Sequence, residues 1–446
     1  MLKHLLRGGG SGLDGNSWVA TLGGSSSNDR AYGRSVAIGP DGSVYVCGFT
    51  DPLQSTTADD GFIAKFDSSG TLQWQKTLVG KYDERCNSVA VGPDGSVCVC
   101  VYQYDAHGAI TPLMVVKFDS SGKLQFQKAL RRSRSIRSQS VAVGIDGSVY
   151  VCAYMDSMEK GNLFDHLIAK LDSSGALQWQ KQLHDPSEFA ESSVDQHVSV
   201  AIGPDGSVCI GGKVRHTTED HMSYAYSKIL IAKFDSSGVL QWQKTLYGGD
   251  WDDGTSVAVG PDGSVYVCGF TRPYGSNYSD ILIAKLNSSG SIQWQKTIGE
   301  RYDDESFSVA VGPDGSVYVC GEIRDKNSTK YECLIVKFNP SGTLQWQKFF
   351  DYSYDSSLAI GSDDSVYVCG SYSRALLLAR ITDADINQST VVYGPFTLQD
   401  VSVTTRNSNL RSETASLSVS NAGLSVSTAS LTVSDTNFIS KKYEGE

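Results

Sequence analysis

The sequence predicts an all-β protein: a seven-bladed β-propeller closed by its N-terminal strand and followed by a fibrous β-repeat tail. One strand-turn-strand motif occurs seven times, and the strand that should complete the last copy lies near the N-terminus. A Ser/Thr/Val-rich segment with a seven-residue period follows. Arrays of one small β unit at intervals of roughly 50 to 60 residues form propellers or solenoids. We therefore divide the chain into a flexible arm (1–17), the propeller (18–381) and the tail (382–446).

Each repeat is predicted to contain four strands, as the fifth copy illustrates. Its Gly-Pro-Asp-Gly stretch turns the chain, because Pro presets φ at the start of a turn and Gly accepts a positive φ near its end. A second turn, Asn-Ser-Ser-Gly, joins the third and fourth strands. Alternating apolar residues such as Val-Tyr-Val-Cys are typical of strands. The predicted strands of this copy cover residues 256–259, 265–268, 282–285 and 292–296.

The fourth strand shows how the ring closes. Its aromatic residue is present in six copies, but the seventh copy ends after residues 377–380 without one. The segment that begins at Trp18 parallels the one that begins at Trp242. We expect this N-terminal strand to complete the seventh blade, which leaves the propeller without an open sheet edge. The six aromatic residues are Trp74, Phe126, Trp179, Trp242, Trp294 and Trp346.

These motifs resemble the SBBP repeats, a family of bacterial and phage seven-bladed propeller repeats. The resemblance covers Trp18 to about Ile381 and depends on the Leu-Gly-Gly, Val-Tyr-Val and Ala-Lys-Phe-Asp-Ser-Ser-Gly elements. The run at residues 283–296 is also similar to repeats in virion structural proteins of marine cyanophages. The resemblance implies a propeller fold and a virion context, and it carries no catalytic motif.

Composition narrows the classes of function. The 446 residues carry a net charge of −11, which argues against a nucleic-acid-binding surface. No apolar run reaches the length of about 20 residues that a membrane-spanning helix needs. The first seven residues lack the apolar core of a signal peptide, and a Gly-rich tether follows them. We expect assembly in the host cytoplasm and a final location in the virion.

The ten cysteines are interpreted as packing residues. Six of them occupy one strand position in six repeats, and Gly211 holds that position in the fourth. Equivalent positions in neighbouring blades should lie beyond the ~7 Å Cα separation that a disulfide allows. Buried, reduced thiols fit folding in a cytoplasm better than disulfides or a metal site do. The six residues are Cys47, Cys100, Cys152, Cys268, Cys320 and Cys369.

The tail repeats an apolar residue every seven positions. A coiled coil is disfavoured, because the second apolar position lies two residues from the first and the segment is rich in Ser and β-branched residues. One Leu and one Val per repeat cannot form a core in a single thin chain. We expect the tail to pair with other copies or with a partner; disorder and a small independent domain are the alternatives. The predicted assembly residues are Leu410, Leu417, Leu424, Leu431 and Phe438.

The variable loops supply the predicted binding residues. Second-to-third-strand loops and inter-repeat loops lie on one face, the loop face, and the uniform turns lie on the opposite turn face. Loops on a rigid scaffold often carry recognition, and Tyr gives a large amphipathic contact surface for sugars or proteins. The alternative is that these rings pack on their own loops. The candidates are Tyr102, Tyr104, Tyr154, Tyr224, Tyr226, Trp251, Tyr274, Tyr278, Tyr302 and Tyr352.

Charged clusters provide further candidates. Arg131, Arg132 and Arg134 form a basic group that could bind an anionic sugar or an acidic neighbour, and an exposed, solvated run is the alternative. Acidic loops at 83–84, 250–253 and 303–305 could offer oxygen ligands to Ca²⁺, but they lack the spacing of a dedicated loop. A solvated or hydrogen-bonded turn is the alternative. Two histidines five apart in the longest loop, 216–221, are a weak zinc signal. We predict no metal and no cofactor.

A basic residue recurs in the third strand of every repeat. Its identical placement favours a structural role, such as cross-strand pairing, over a binding ring. The residues are Lys65, Lys117, Lys170, Lys233, Lys285, Lys337 and Arg380.

Three functions are compatible with this pattern. The first is a non-enzymatic phage virion protein, a tail or capsid appendage or fibre, whose propeller binds and whose tail assembles or anchors it. Its partners would be other virion proteins or a host-surface glycan or protein, and a homo-oligomer would form through the tail. The second is a bacterial cell-surface adhesive propeller. The third is a propeller glycosidase or lyase, which would need catalytic carboxylates that stand out from the repeats.

Overall fold

The computed structural model describes most of the repeat region and short strands in the tail. Of the candidates above, Tyr224, Tyr352, Arg132, Arg134 and the five predicted assembly residues lie outside the described residues. The described residues are 5–6, 17–23, 29–52, 59–104, 111–131, 136–156, 164–184, 197–217, 225–299, 302–324, 331–350, 354–372, 375–393, 396–400, 405–407, 411–414, 418–420, 425–428, 432–435 and 439–443.

Across the described residues the secondary structure is almost entirely β, with one short helix. In chain order the elements are β1 (Leu5–Leu6), β2 (Trp18–Gly23), β3 (Asp29–Ile38), β4 (Val44–Pro52), β5 (Asp60–Phe66), β6 (Leu72–Val79), β7 (Asp83–Val91), β8 (Val97–Tyr104), β9 (Leu113–Phe118), β10 (Leu124–Arg131), β11 (Ile136–Val143), β12 (Val149–Asp156), β13 (Phe164–Leu171), β14 (Leu177–His184), β15 (Val198–Ile202), β16 (Val208–Thr217), β17 (Ala225–Phe234), β18 (Leu240–Tyr247), β19 (Gly249–Val259), β20 (Val265–Pro273), β21 (Asp280–Leu286), β22 (Ile292–Ile298), β23 (Glu305–Val311), β24 (Val317–Arg324), β25 (Tyr331–Phe338), β26 (Leu344–Phe350), β27 (Tyr354–Ile360), β28 (Val366–Tyr372), β29 (Ala375–Ile381), α1 (Asp383–Ile386), β30 (Thr390–Tyr393), β31 (Phe396–Asp400), β32 (Thr405–Asn407), β33 (Arg411–Thr414), β34 (Ser418–Ser420), β35 (Ser425–Thr428), β36 (Thr432–Asp435) and β37 (Ile439–Tyr443).

Each repeat folds into one antiparallel unit of four strands. The units are β3–β6, β7–β10, β11–β14, β15–β18, β19–β22 and β23–β26, and β27–β29 are completed by β2. Among the described residues these strands make six hydrogen-bonded sheets rather than separate sheets for every repeat. There are fewer sheets than units because one parallel bridge, between Ser227 and Trp251, joins β17 to β19 and so merges two units into one sheet.

The units pack side by side around a common axis. The first strand of each unit contacts the first strand of the next, and β27 of the last repeat contacts β3 of the first. Every apolar cluster in the described part of the chain combines residues of two neighbouring units. Burial therefore occurs between facing sheets, which is the arrangement of a β-propeller.

The N-terminal strand β2 lies where the sequence analysis expects it. It pairs antiparallel with β29, and Trp18 lies opposite Arg380 just as Trp74 lies opposite Lys65. The Trp18 indole N–H donates to the Ser68 carbonyl at 3.1 Å, across the boundary between the last repeat and the first. The side chain is 1% exposed. Trp18 thus makes, at the chain's closure, the contact that internal repeats make with their neighbours.

The recurrent third-strand lysines fasten neighbouring units together. Lys65 Nζ donates to the Ser120 carbonyl of the next unit at 3.1 Å, and the Trp74 indole N–H donates to the same oxygen. Lys65 also lies over the Tyr45 ring, 5.3 Å from its centroid, and 3.6 Å from an Asp41 carboxylate oxygen. Comparable Nζ-to-carbonyl contacts recur at Lys117, Lys170 and Lys285. These contacts support the structural role expected for this residue.

The tail strands lie along the outer edges of the units. β31 pairs with β26, β32 with β22, β33 with β18, β34 with β14, β35 with β10, β36 with β6 and β37 with β2. All seven pairings are antiparallel, and the tail visits the units in the reverse of their chain order. We call these seven tail strands the belt.

The tail has a seven-residue period because the chain uses seven residues to pass from one unit to the next. Equivalent positions of the fourth strands pair with belt residues at intervals of seven. The pairs are Phe350–Leu398, Ile298–Thr405, Leu246–Ser412, Leu183–Val419, Leu130–Val426, Leu78–Val433 and Leu22–Ser440. The expectation of a fibrous segment that pairs with other chains is therefore corrected for the described strands, because their partners are the chain's own blade edges.

The cysteines lie in the packed interior, as predicted. All ten are buried and none forms a disulfide. Burial raises the pKa of the Cys98, Cys209 and Cys369 thiols to about 12, so these groups stay protonated. They act as small apolar side chains between units.

Candidate functional site: the central channel and the loop face

A ring of serines surrounds the axis of the propeller. One serine from the first strand of each repeat lines a common cavity of about 470 Å³. In most units the serine Oγ accepts a hydrogen bond from a backbone N–H of the next unit. These bonds span 3.2–3.4 Å and include the one from Val36 N–H to Ser357 Oγ, which joins the last repeat to the first. The serines are Ser35, Ser88, Ser140, Ser199, Ser256, Ser308 and Ser357.

The residue before each serine varies and gives the channel its individual chemistry. In several repeats the strand pairing skips this residue, as between Gly33 and Ser35 or Cys86 and Ser88. Such β-bulges re-aim a side chain and are frequent beside functional sites. A uniform hydroxyl ring therefore lies next to a varied set of side chains. Those that line the cavity are Arg34, Asn87, Val198, Thr255 and Phe307.

Two arginines meet at the loop-face mouth of the channel. The guanidinium carbons of Arg34 and Arg85 lie 5.3 Å and 4.7 Å from the centroid of the Phe49 ring. Arg85 donates to Asp59 Oδ2 from Nε at 2.8 Å, and its Nη2 lies 2.7 Å from the same oxygen. The Phe49 ring is stacked on Tyr32, with centroids 4.8 Å apart. Both cationic planes are thus held against one aromatic platform.

Tyr102 joins this mouth as a half-buried phenol. It lines the cavity with Arg85. Burial raises its pKa, while the nearby charges of Arg137 and Arg85 act in the opposite direction. Its hydroxyl therefore remains a protonated hydrogen-bond donor near neutral pH.

The opposite wall contains a buried ion pair. Lys213 Nζ lies 2.9 Å from Asp253 Oδ2, and the two side chains are 2% and 1% exposed. His197, which lines the cavity, has Nδ1 3.9 Å from the same oxygen. Lys213 also lies over the Trp251 ring at 4.8 Å. The predicted binding residue Trp251 therefore packs on a structural charge pair.

His166 lies buried nearby. Burial lowers its pKa to about 4, and the charge of Asp253 opposes part of that shift. The imidazole is therefore neutral near pH 7.

The acidic loops fold onto their own backbone. Glu84 accepts hydrogen bonds from the N–H groups of Gly80 and Tyr82, and Asp252 accepts from Gly248 and Gly249. Within the described residues, no group of three His, Cys, Asp or Glu side chains is arranged to hold a metal ion. These carboxylates act as loop caps, the alternative that the sequence left open beside Ca²⁺ binding.

Of the predicted aromatic residues, some form exposed pairs on the loop face. Tyr104, Tyr274 and Tyr278 are 45%, 65% and 43% exposed. Tyr104 lies 6.4 Å from Tyr102, and Tyr278 lies 5.8 Å from Tyr302, between ring centroids. These two contacts between four tyrosines make two aromatic patches.

Other candidates behave differently. Tyr154 is 5% exposed, lies beneath the guanidinium of its cross-strand partner Arg137 and belongs to an apolar cluster between two units, so it is a core residue. Arg131 is exposed at the end of β10. Tyr226 belongs to β17, and its side chain lies outside the described residues.

Sequence reasoning missed the channel. The serine precedes Val-Ala-Val in four repeats and Val-Ala-Ile or Leu-Ala-Ile in the other three. It was visible in the sequence, but nothing in the repeat marked it as axial. Arg34 and Phe49 lie on paired strands of the first unit, and Arg85 lies on the first strand of the next unit. These three residues come together only when the two units pack side by side. The variable residue before each serine was the available signal.

Among the described residues, no helix is both long and apolar enough to cross a bilayer.

Comparisons with known proteins support the propeller fold. Residues 260–292 match a family described as a domain of unknown function (DUF5122) beta-propeller. A segment of 145 residues is 28% identical to "Regulatory protein FlaEY" of Caulobacter vibrioides. That match covers 30% of this chain and only 14% of the length of the Caulobacter protein.

Solved structures with a similar arrangement share little sequence. Puromycin hydrolase is 14% identical, with a TM-score of 0.46 over 76% of this chain and 50% of that chain. The Pyrococcus horikoshii acylaminoacyl peptidase is 12% identical, with a TM-score of 0.44 over 82% and 55%. A Dyadobacter fermentans protein of unknown function is 11% identical, with a TM-score of 0.42 over 81% and 98%. The family match and the strand pairing together support an all-β propeller domain in this chain.

Proposed function

We propose that the protein is a non-enzymatic binding propeller that serves as a structural component of a phage virion, as an appendage or fibre of the tail or capsid. The observation that carries the binding role is the loop face, where exposed aromatic pairs stand on a rigid ring of sheets. Aromatic residues are enriched in protein interfaces. The virion context comes from the resemblance of the repeats.

We further propose a propeller of seven blades with a strand-exchange closure. Each repeat supplies one four-stranded unit, and the seventh is completed by β2. The Trp18 contact with Ser68 and the Ser357 contact with Val36 both join the last unit to the first. Closure of the ring is thus supported by one hydrogen bond beside the axis, from Val36 to Ser357, and by one farther from the axis, from Trp18 to Ser68.

The non-enzymatic character is supported by how the ionisable groups near the channel are used. Glu84 and Asp252 cap backbone amides, and Asp253 is paired with Lys213. His166 is held neutral by burial. These side chains have structural partners, whereas the groups that face the cavity are chiefly hydroxyls and arginines.

The belt is proposed to support assembly indirectly. By adding a strand to each blade, it blocks blade edges that would otherwise template pairing with other chains. The loop face would then make the contacts with virion proteins or with a host-surface glycan or protein. The predicted role of Leu410, Leu417, Leu424, Leu431 and Phe438 as contacts to other copies remains a prediction.

Two experiments test the proposal. Purified particles from the source should contain the protein in stoichiometric amounts by quantitative mass spectrometry, and immunogold should label an appendage. Detection of the protein only on bacterial surfaces would favour the adhesive alternative and contradict the virion role.

The binding face is tested with matched pairs of variants. Tyr274→Ser with Tyr278→Ser should reduce binding of the isolated protein to host cells, because these rings are exposed on the loop face. Ile145→Ser with Val239→Ser alters exposed apolar residues on the turn face and should leave binding unchanged. Equal loss in both pairs, or loss only in the second, would contradict the assignment of the face.

A further inference from the structure

The serine ring presents hydrogen-bond donors to the channel. A hydroxyl has one proton to donate and two lone pairs to accept. In the inter-unit bonds the Oγ accepts a backbone N–H, as Ser35 Oγ does from Val89 at 3.2 Å, so its own proton is not used in that bond. The channel is thus lined by a ring of hydroxyl donors, which favours a ligand rich in oxygen acceptors.

Two guanidinium groups meet at the mouth, and one of them is paired with Asp59. Arg34 and Arg85 come from neighbouring units and both lie against Phe49, which is 5% exposed. Asp59 pairs with the Nε and Nη2 side of Arg85. The protein as a whole carries a net charge of −11, so this local cationic pair departs from the general surface. Guanidinium groups held in a plane recognise carboxylate and sulfate oxygens in a bidentate manner.

The remaining lining suits a small polar ring. Asn87 and Tyr102 add an amide and a phenol beside the arginines, and Phe307 adds an apolar surface across the channel. The cavity of about 470 Å³ lies within the ~300–1,000 Å³ range of small-molecule sites. Sugars combine many oxygen acceptors with an apolar ring face, which matches this mixture.

We propose that the loop-face mouth of the central channel binds an acidic sugar unit, a monosaccharide ring that carries one carboxylate or sulfate. The anionic group lies between Arg34 and Arg85, and the sugar hydroxyls lie toward Asn87, Tyr102 and the serine ring. This site shares Tyr102 with one aromatic patch and is otherwise formed by the channel lining. It does not depend on whether the protein belongs to a virion.

Isothermal titration of the full-length protein tests the site. Glucuronate and glucose 6-sulfate are the probes, with glucose, acetate and inorganic sulfate as references. At least one acidic sugar should bind ten times more tightly than glucose and than its free anion. Arg34→Gln should weaken that binding at least about tenfold, which corresponds to ~1.4 kcal/mol. Lys123→Gln removes an exposed positive charge on the turn face and should leave the affinity unchanged.

A second variant guards against misfolding of the first. Asn87→Asp places a carboxylate in the mouth while both arginines remain in the sequence, and it should also abolish binding of the acidic sugar. Melting curves and circular dichroism establish that each variant is folded. The proposal is overturned if neither acidic sugar binds, if acetate or sulfate alone binds as tightly, or if the folded Arg34→Gln and Asn87→Asp proteins both retain wild-type affinity. Because incorporation into particles is a separate measurement, failure here leaves the virion proposal standing.

Discussion

Replacement of Trp18 by alanine should open the propeller at its closure. Trp18 is 1% exposed, its ring centroid lies 6.4 Å from those of Phe66 and Tyr367, and its N–H donates to Ser68. Phe66 and Ser68 belong to the first repeat, whereas Tyr367 belongs to the last. The side chain therefore holds together two ends of the ring that the chain itself does not connect locally.

The expected loss of stability follows from this burial. Truncation of a buried large aromatic residue to alanine costs ~3–5 kcal/mol. A destabilisation of 1 kcal/mol lowers the melting temperature by ~2–4 °C for domains of about 150–250 residues. Since this propeller is larger, the lower figure applies, and we expect a decrease of about 6–10 °C for Trp18→Ala.

Trp74→Ala is the matched control. Trp74 donates to the Ser120 carbonyl at 3.1 Å, as Trp18 does to Ser68, but it is half-buried and lies on a strand joined to its own unit by a tight turn. Differential scanning calorimetry of both variants should show the larger decrease for Trp18→Ala, together with faster proteolysis of the N-terminal segment. An equal or smaller decrease for Trp18→Ala would refute the reasoning that β2 closes the ring.

Three further predictions concern titrating groups. The pKa of His166 is about 4 in the folded protein and near 6.5 when unfolded, so stability should fall by ~3 kcal/mol as the pH drops from about 6.5 to 4. Urea unfolding at several pH values should show that His166→Gln flattens this part of the profile, and an unchanged slope would contradict it. Hydrogen bonds from Ser96 and Ser207 lower the pKa values of Asp94 and Asp205, so their contribution is present above about pH 4 and lost below it; Asp94→Asn with Asp205→Asn should reduce the acid-induced loss of stability. A thiol reagent should find all ten cysteines in the denatured, unreduced protein and almost none in the native one, because every thiol is buried and free; fewer than ten would indicate disulfides.

The architecture of the repeats could be read from the sequence because its determinants are local. The turn glycines adopt the positive φ that the Pro-Asp-Gly and Ser-Ser-Gly turns require, for example 75° at Gly95 and 84° at Gly122. The displaced aromatic residue Trp18 was recognisable because its segment repeats a fourth strand. Both features depend on short stretches of chain.

The tail and the channel could not be read in the same way. The period of the tail identified strands, but its partner depends on the edges of units that lie far away in sequence, such as Leu183 for Val419. The bulge that precedes Ser35 or Ser88 arises from a skipped residue in strand pairing, which composition does not reveal. Side chains from separate repeats, such as Arg34 and Arg85, converge only after the ring has formed.

Hydrogen–deuterium exchange of the full-length protein and of a chain that ends at residue 395 tests the belted, closed ring most directly. The belt strands pair with β2, β6, β10, β14, β18, β22 and β26. Truncation should therefore accelerate exchange in these seven strands, while the axial strands around the serine ring keep their protection. If the seven outer strands exchange at the same rate in both proteins, the tail does not pair with the blades and the belted ring is contradicted.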